Sequence, residues 1–199
     1  DTIQSRGLGD VYKRQGGDIF EEETDKAPSF LIWAQRDVNG APLQRIQVIK
    51  GSISRADSRP TEKVYDVACS DGLEVDPQTN RCPDNGARVD IETCAISKNV
   101  GAAELKTIWT DPDFDKTDSA FYYVRVLENP TCRWSTWDAI RAGFKPREDL
   151  HDTIQDRAWS SPIWYTPNEA ENPTPIRLNS ERLEFIPEKW FVKYLFFLQ

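Results

Sequence analysis

Apolar and polar residues alternate with a period of two along most of the middle of this chain, which predicts short strands rather than helices. The run Ser29-Phe-Leu-Ile-Trp-Ala-Gln35 is apolar and β-prone. Asp37-Val-Asn-Gly40 follows, with an Asn-Gly pair of the kind that closes hairpins. Leu43-Gln-Arg-Ile-Gln-Val-Ile-Lys50 then places Ile46 and Val48 on one face. Together these predict a hairpin. Glu62-Lys-Val-Tyr-Asp-Val-Ala68 puts Val64, Asp66 and Ala68 on one side, with Tyr65 and Val67 on the other. Arg88-Val-Asp-Ile-Glu-Thr-Cys94 alternates too, predicting a strand with Val89, Ile91 and Thr93 inward. Residues 102–109 fit either a helical turn or a strand, and residues 121–127 a strand. Ser160-Ser-Pro-Ile-Trp-Tyr165 reads as the last strand, with Pro162 confining it to an edge or a strand start.

Between these runs lie breakers. Residues 16–26 read as an acidic entry loop. Residues 70–87 hold Asp-Gly, Asp-Pro, Cys-Pro and Asn-Gly and form a long turn region. Thr136-Trp-Asp-Ala-Ile-Arg-Ala142 predicts one short helix, capped by Ser135 or Thr136 and stopped by Gly143. Prolines 167, 173, 175 and 187 predict a loose tail over residues 166–199. Its apolar end, residues 190–198, fits a buried strand or frame-shifted readthrough equally well. The expected fold is mainly β: an antiparallel β-sandwich of about seven strands with one short helix, over residues 16–165. Tyr122 and Tyr123 stand where sandwiches carry a corner tyrosine, and seven tryptophans supply apolar area.

Composition narrows the partners. The formal net charge is -8 and the pI about 4.8, which argues against nucleic acid or an anionic membrane. No apolar run approaches the roughly 20 residues of a membrane helix. The chain contains no methionine and opens on Asp1, as expected of a fragment or a processed product whose leader is not in view. Asp10-Val-Tyr-Lys-Arg-Gln15 resembles the translation of a transposon-end sequencing adaptor, and Asp1-Thr-Ile-Gln4 recurs as Asp152-Thr-Ile-Gln155. Residues 1–15 are accordingly set apart as an artefact or a disordered lead.

Four cysteines, Cys69, Cys82, Cys94 and Cys132, lie in or beside turns, without a Cys-x-x-Cys pair and with His151 as the sole histidine. That spacing suits disulfides in an oxidising compartment better than zinc, four free buried thiols being the alternative. Of three connectivities, Cys69 with Cys82 and Cys94 with Cys132 is favoured.

Little in the chain suggests catalysis. Asp111, Asp113 and Asp115 alternate as calcium ligands do, but the helix-loop-helix calcium pattern needs Gly where Lys116 stands and an acid where Tyr122 stands. A strand-entry turn is the favoured reading. His151 has no nucleophile elbow near it, and Ser160-Ser161 is not one. No phosphate loop or dinucleotide fingerprint occurs. Arg133, Trp134 and Trp137 can form a cation–aromatic ligand surface, or the tryptophans can serve the core. No catalytic, cofactor-binding or firm metal residue is expected.

Several motifs in order carry a resemblance: Gly16-Gly-Asp18, Ala27-Pro-Ser-Phe30, Leu43-Gln-Arg-Ile-Gln-Val-Ile-Lys-Gly51, Glu62-Lys-Val-Tyr-Asp-Val-Ala68, Trp109-Thr-Asp-Pro-Asp-Phe-Asp115, Ala120-Phe-Tyr-Tyr-Val-Arg-Val-Leu-Glu128 and Arg157-Ala-Trp-Ser-Ser-Pro-Ile-Trp-Tyr165. In these the chain resembles the C-terminal part of the bacterial domain of unknown function 3604 family. The resemblance implies a periplasmic or secreted protein related to the PHP metallohydrolases, whose His and Asp clusters bind metal on a distorted β/α barrel. One histidine cannot furnish such a cluster, and no ligand carries over residue by residue. What is implied is a non-catalytic, β-rich fragment of a larger barrel protein, with the divalent metal in the upstream barrel and that barrel as its partner. The alternative is a free-standing module that binds carbohydrate or a cell-surface partner through its tryptophans.

Overall fold

The computed structural model describes residues 13–20, 26–167 and 194–197. Most of the lead (1–15) and of the tail (166–199) lies outside these residues. Eleven strands and one helix are described: β1 (Asp18–Phe20), β2 (Ser29–Gln35), β3 (Leu43–Ile53), β4 (Pro60–Cys69), β5 (Glu104–Thr110), β6 (Ser119–Glu128), β7 (Thr131–Cys132), α1 (Trp134–Ala142), β8 (Thr153–Ile154), β9 (Arg157–Trp159), β10 (Ile163–Thr166) and β11 (Tyr194–Phe197). A six-stranded sheet runs β1-β10-β6-β3-β4, with β9 also paired to β6. A three-stranded sheet runs β11-β2-β5, and β7 and β8 form a two-stranded ribbon. The pairings are antiparallel except β1 with β10 and β11 with β2.

Alternation in β2 buries Phe30, Ile32 and Ala34. With Leu105 of β5 they pack on Ile46 and Val48 of β3, Tyr122, Val124 and Val126 of β6, and Ile163 and Tyr165 of β10. The two sheets thus share one core, and the mainly β sandwich of the sequence pattern is the observed fold. Each large side chain fully buried there contributes roughly 1.5–3 kcal/mol. The ambiguous run at 102–109 is strand β5. The count exceeds seven because β1, β7, β8, β9 and β11 are pieces of two to four residues. β1 lies inside the expected entry loop.

Four local expectations are corrected. The 29–50 hairpin does not form: β2 pairs with β5 in one sheet and β3 with β4 and β6 in the other. The Asn39-Gly40 turn exists, closed by the Gly40 N–H donating to the Asp37 carbonyl and the Asn39 N–H to the Asp37 carboxylate. Gly40 does not take the positive φ that a primed hairpin turn needs. The Ala41 N–H instead donates to Glu128 of β6, which makes residues 36–42 a corner between the sheets.

Residues 88–94 form turns, not a strand. The Asp90 carboxylate accepts from the Glu92 N–H and the Thr93 hydroxyl, and Cys94 has φ 55°, a left-handed value foreign to a strand. Thr93 is exposed. The faces of β4 do not hold either. A bulge opposite Ile46/Gln47 leaves Val67 as the extra residue, so Ala68 turns to the core while Asp66 stays on the outer face beside Gln47. Finally, the N-cap position of α1 is Arg133, with no side-chain cap; the Thr136 hydroxyl donates to the Asp152 carbonyl instead. Gly143 does end the helix, at φ 74°. Pro162 stands just before β10, which lies between β1 and β6.

Candidate functional site

Asp111 and Asp113 of the turn before β6 converge on a lysine. Lys50 of β3 points into the end of the core, where its ammonium donates to Asp111 Oδ2 at 2.6 Å and to the Asp113 carbonyl at 2.7 Å. The Tyr122 hydroxyl donates to the same Asp111 oxygen at 2.7 Å, and the Asp113 N–H to Asp111 Oδ1. Asp113 receives the Tyr65 hydroxyl and the Lys63 ammonium. Asp115 is exposed and accepts from Thr117. Both carboxylate oxygens of Asp111 are thus held by protein donors; the cation paired with Asp111 is Lys50, and the one paired with Asp113 is Lys63. This cluster ties the 111–118 turn, which follows β5 of the smaller sheet, to β3, β4 and β6 of the six-stranded sheet.

Burial and the neighbouring carboxylates keep the protons on Tyr65 and Tyr122 well above the usual tyrosine range. The Tyr65 hydroxyl, and after it Lys63, hold the Asp113 carboxyl below the usual range. Because that value is depressed on folding, its contribution to stability is present above about pH 4 and fades as pH falls through the folded value. Tyr65→Phe is expected to bring the Asp113 titration back up toward the ordinary aspartate value, read by carbon-13 NMR of the carboxyl. An unmoved titration would rule out this hydrogen bond as the cause.

Two disulfides shape the opposite end: Cys69–Cys82 and Cys94–Cys132, the favoured pairing. The first fastens the 70–81 turn region to the end of β4. The second pins the 84–94 loop to β7, next to Arg133. That residue donates from Nε to the His151 carbonyl at 3.0 Å. Trp134 is 73% exposed, while Trp137 is half-buried and covered by the Arg141 guanidinium at 4.9 Å rather than by Arg133. Arg133 and Trp137 thus each have another partner, and Trp134 stands exposed beside them.

Two surfaces stand out on the outer face of the six-stranded sheet, neither of them singled out by the residue pattern. Toward one end, Trp164 of β10 lies beside Phe121 of β6, ring centroids 5.3 Å apart, and Phe121 stacks with Tyr123 at 6.3 Å. Phe121 crosses over Gly51 of β3, where any Cβ would run into its ring. A cleft of about 480 Å³ opens there between Gly51, Ile53, Pro60, Phe121 and Trp164. Trp159 continues the exposed aromatic face on β9, opposite Arg125.

Toward the other end, a cleft of about 500 Å³ is lined by Arg45, Arg88, Arg133, Arg157 and His151, with Asp84 as its one carboxylate. The period-two pattern of β6 was the available signal for the aromatic row: Phe121, Tyr123 and Arg125 alternate with the buried Tyr122, Val124 and Val126. The arginines come from β3, β9 and two loops, and no local pattern links them.

The sequence profile described as protein of unknown function (DUF3604) matches residues 11–167. The chain belongs to the DUF3604 family. The DUF3604 match takes in β1 through β10, α1, both disulfides and the Lys50 cluster, as well as residues 11–15, which the sequence pattern had left out of the domain. No curated protein and no solved structure matches the chain with significance.

Proposed function

We propose that this chain is the non-catalytic, β-rich C-terminal region of an exported, PHP-like metal-dependent hydrolase, seated by its outer aromatic face against the catalytic barrel. The observation that carries the reading is the Trp164–Phe121–Tyr123 row. The outer face of a largely antiparallel sheet is ordinarily polar, and an exposed aromatic patch beside an apolar cleft marks a contact surface. Two disulfides accord with a periplasmic or secreted location. With one histidine in the chain, the divalent metal is assigned to the barrel upstream.

The expected result is that the isolated chain shows no metal-dependent hydrolysis of p-nitrophenyl phosphate with zinc or manganese. It should bind the separately produced barrel, and Trp164→Ala should weaken that binding at least tenfold without moving the melting temperature, as for an exposed aromatic anchor. Turnover by the isolated chain, or binding untouched by Trp164→Ala, would sink the proposal.

A second reading is favoured by Trp159 and Trp164, which are 55% and 48% exposed on one sheet face. It is a free-standing module that stacks carbohydrate, or a cell-surface partner, on these rings. Quenching of tryptophan fluorescence by soluble polysaccharide, lost in Trp159→Ala, is its signature.

A further inference from the structure

In a chain of net charge -8, the cleft at the basic end of the sheet gathers four arginines around one carboxylate. We propose that this cleft is a binding site for a small molecule bearing an oxyanion: phosphate, sulfate or carboxylate.

Strand register brings two of the arginines together. Arg45 of β3 and Arg157 of β9 both pair across Leu127 of β6, which places them on the same outer face, two strands apart. The loop carrying Asp84 and Arg88 forms a second wall, and Arg133, at the start of α1, a third. Cys94–Cys132 ties that loop to the strand ending one residue before Arg133, so two of the walls are covalently joined. A site cross-linked in this way loses little freedom when a ligand enters.

The donors are unevenly committed, and that unevenness points to a ligand. Arg88 is spent: it grips Asp84 with two nitrogens, at 3.2 and 2.6 Å, and so holds the Asp84 carboxyl down at about 2. Asp84 thus stays ionised and is already neutralised by its partner. Arg157 is exposed, and its side chain makes no hydrogen bond or ion pair among the described residues. Arg133 uses only Nε, for the His151 carbonyl. The buried Nε of Arg45 has no hydrogen-bond partner among the described residues, and its ion pair to Asp66 is long, at 3.5 Å. Unspent guanidinium forks are the groups that take planar carboxylate or tetrahedral phosphate with two parallel bonds. The cleft volume falls within the range of small-molecule sites. Its position, at the end of the sheet face away from Trp164, leaves it independent of the aromatic contact surface.

Isothermal titration of the full chain with inorganic phosphate, sulfate and citrate, at low and at physiological salt, tests the site. Saturable binding of at least one anion, weakening as salt rises, is expected. Arg157→Gln should weaken it at least tenfold. That side chain is exposed and partnerless, so the variant should melt as the wild type does. Arg133→Gln should do the same, while Lys106→Gln, on β5 in the other sheet, should change nothing. Preference for phosphate and sulfate assigns a tetrahedral oxyanion, and preference for citrate a carboxylate. Absence of binding by all three, or equal affinity in wild type and Arg157→Gln, overturns the proposal.

Discussion

Asp111→Ala is expected to cost the fold about 3–5 kcal/mol, the range for removing one partner of a buried ion pair. The side chain of Asp111 is 0% exposed and that of Lys50 only 7%. Without the carboxylate, the Lys50 ammonium keeps one hydrogen bond, to the Asp113 carbonyl, beside the Tyr122 ring, and the Tyr122 hydroxyl loses its acceptor. Both are left desolvated, and a buried charge without its counterion is the costlier of the two. At roughly 2–4 °C per kcal/mol for a domain of this size, the melting temperature should fall by about 10 °C. Calorimetry and urea denaturation both read this.

A paired variant separates charge from shape. Lys50→Met combined with Asp111→Leu removes both ions, and replacing a buried pair by apolar groups is often neutral. The double variant should therefore be more stable than Asp111→Ala alone. A single-variant loss under about 1 kcal/mol would show the cluster to be wetter than its geometry indicates.

Next in size is the loss of Cys94–Cys132. The bridge spans 38 positions against 13 for Cys69–Cys82. In the chain-entropy account a longer loop restrains the unfolded chain more, giving about 4 kcal/mol for the first and about 3 for the second. Replacing Cys94 and Cys132 together by serine should thus lower the unfolding free energy by about 2–4 kcal/mol, and by more than the same change at Cys69 and Cys82. The 84–94 turns add to the difference. They have few apolar contacts of their own, and Cys94 sits in left-handed backbone that the bridge holds in place. Equal losses at the two bridges would argue that the native loops, rather than the unfolded chain, set the effect.

These elements show where the sequence was legible. Phe30, Ile32 and Ala34, or Tyr122, Val124 and Val126, declare their strands because one face is buried and the side-chain period is two. Pairing partners are less visible. Asn39-Gly40 is a turn in any context, but whether it joins neighbours or crosses between sheets depends on Glu128, about ninety residues on, accepting the Ala41 N–H. Residues 88–94 alternate as a strand does, and local hydrogen bonds from the Glu92 N–H and the Thr93 hydroxyl to Asp90 override the pattern. The aspartates of the 111–118 turn look like ligands because the cations that pair with Asp111 and Asp113, Lys50 and Lys63, come from strands far back in the chain. The arginine cleft is invisible for the same reason: its members meet only through register and a disulfide.

The parallel ladder of β1 and β10 sets an order of events. Asp18 pairs with Trp164 and Phe20 with Thr166, and β10 also separates β1 from β6. During synthesis β1 leaves the ribosome early and meets its ladder partner only after nearly the whole domain has followed. Until then β3, β4 and β6 can assemble, with one side of β6 open as an unprotected edge. Folding that depends on such distant pairing is slow, and truncation before residue 157, which removes β9 as well as β10, leaves that edge exposed to other chains. Incomplete forms of this domain are therefore expected to aggregate more readily than the finished one, which light scattering of chains ending before residue 157 would check.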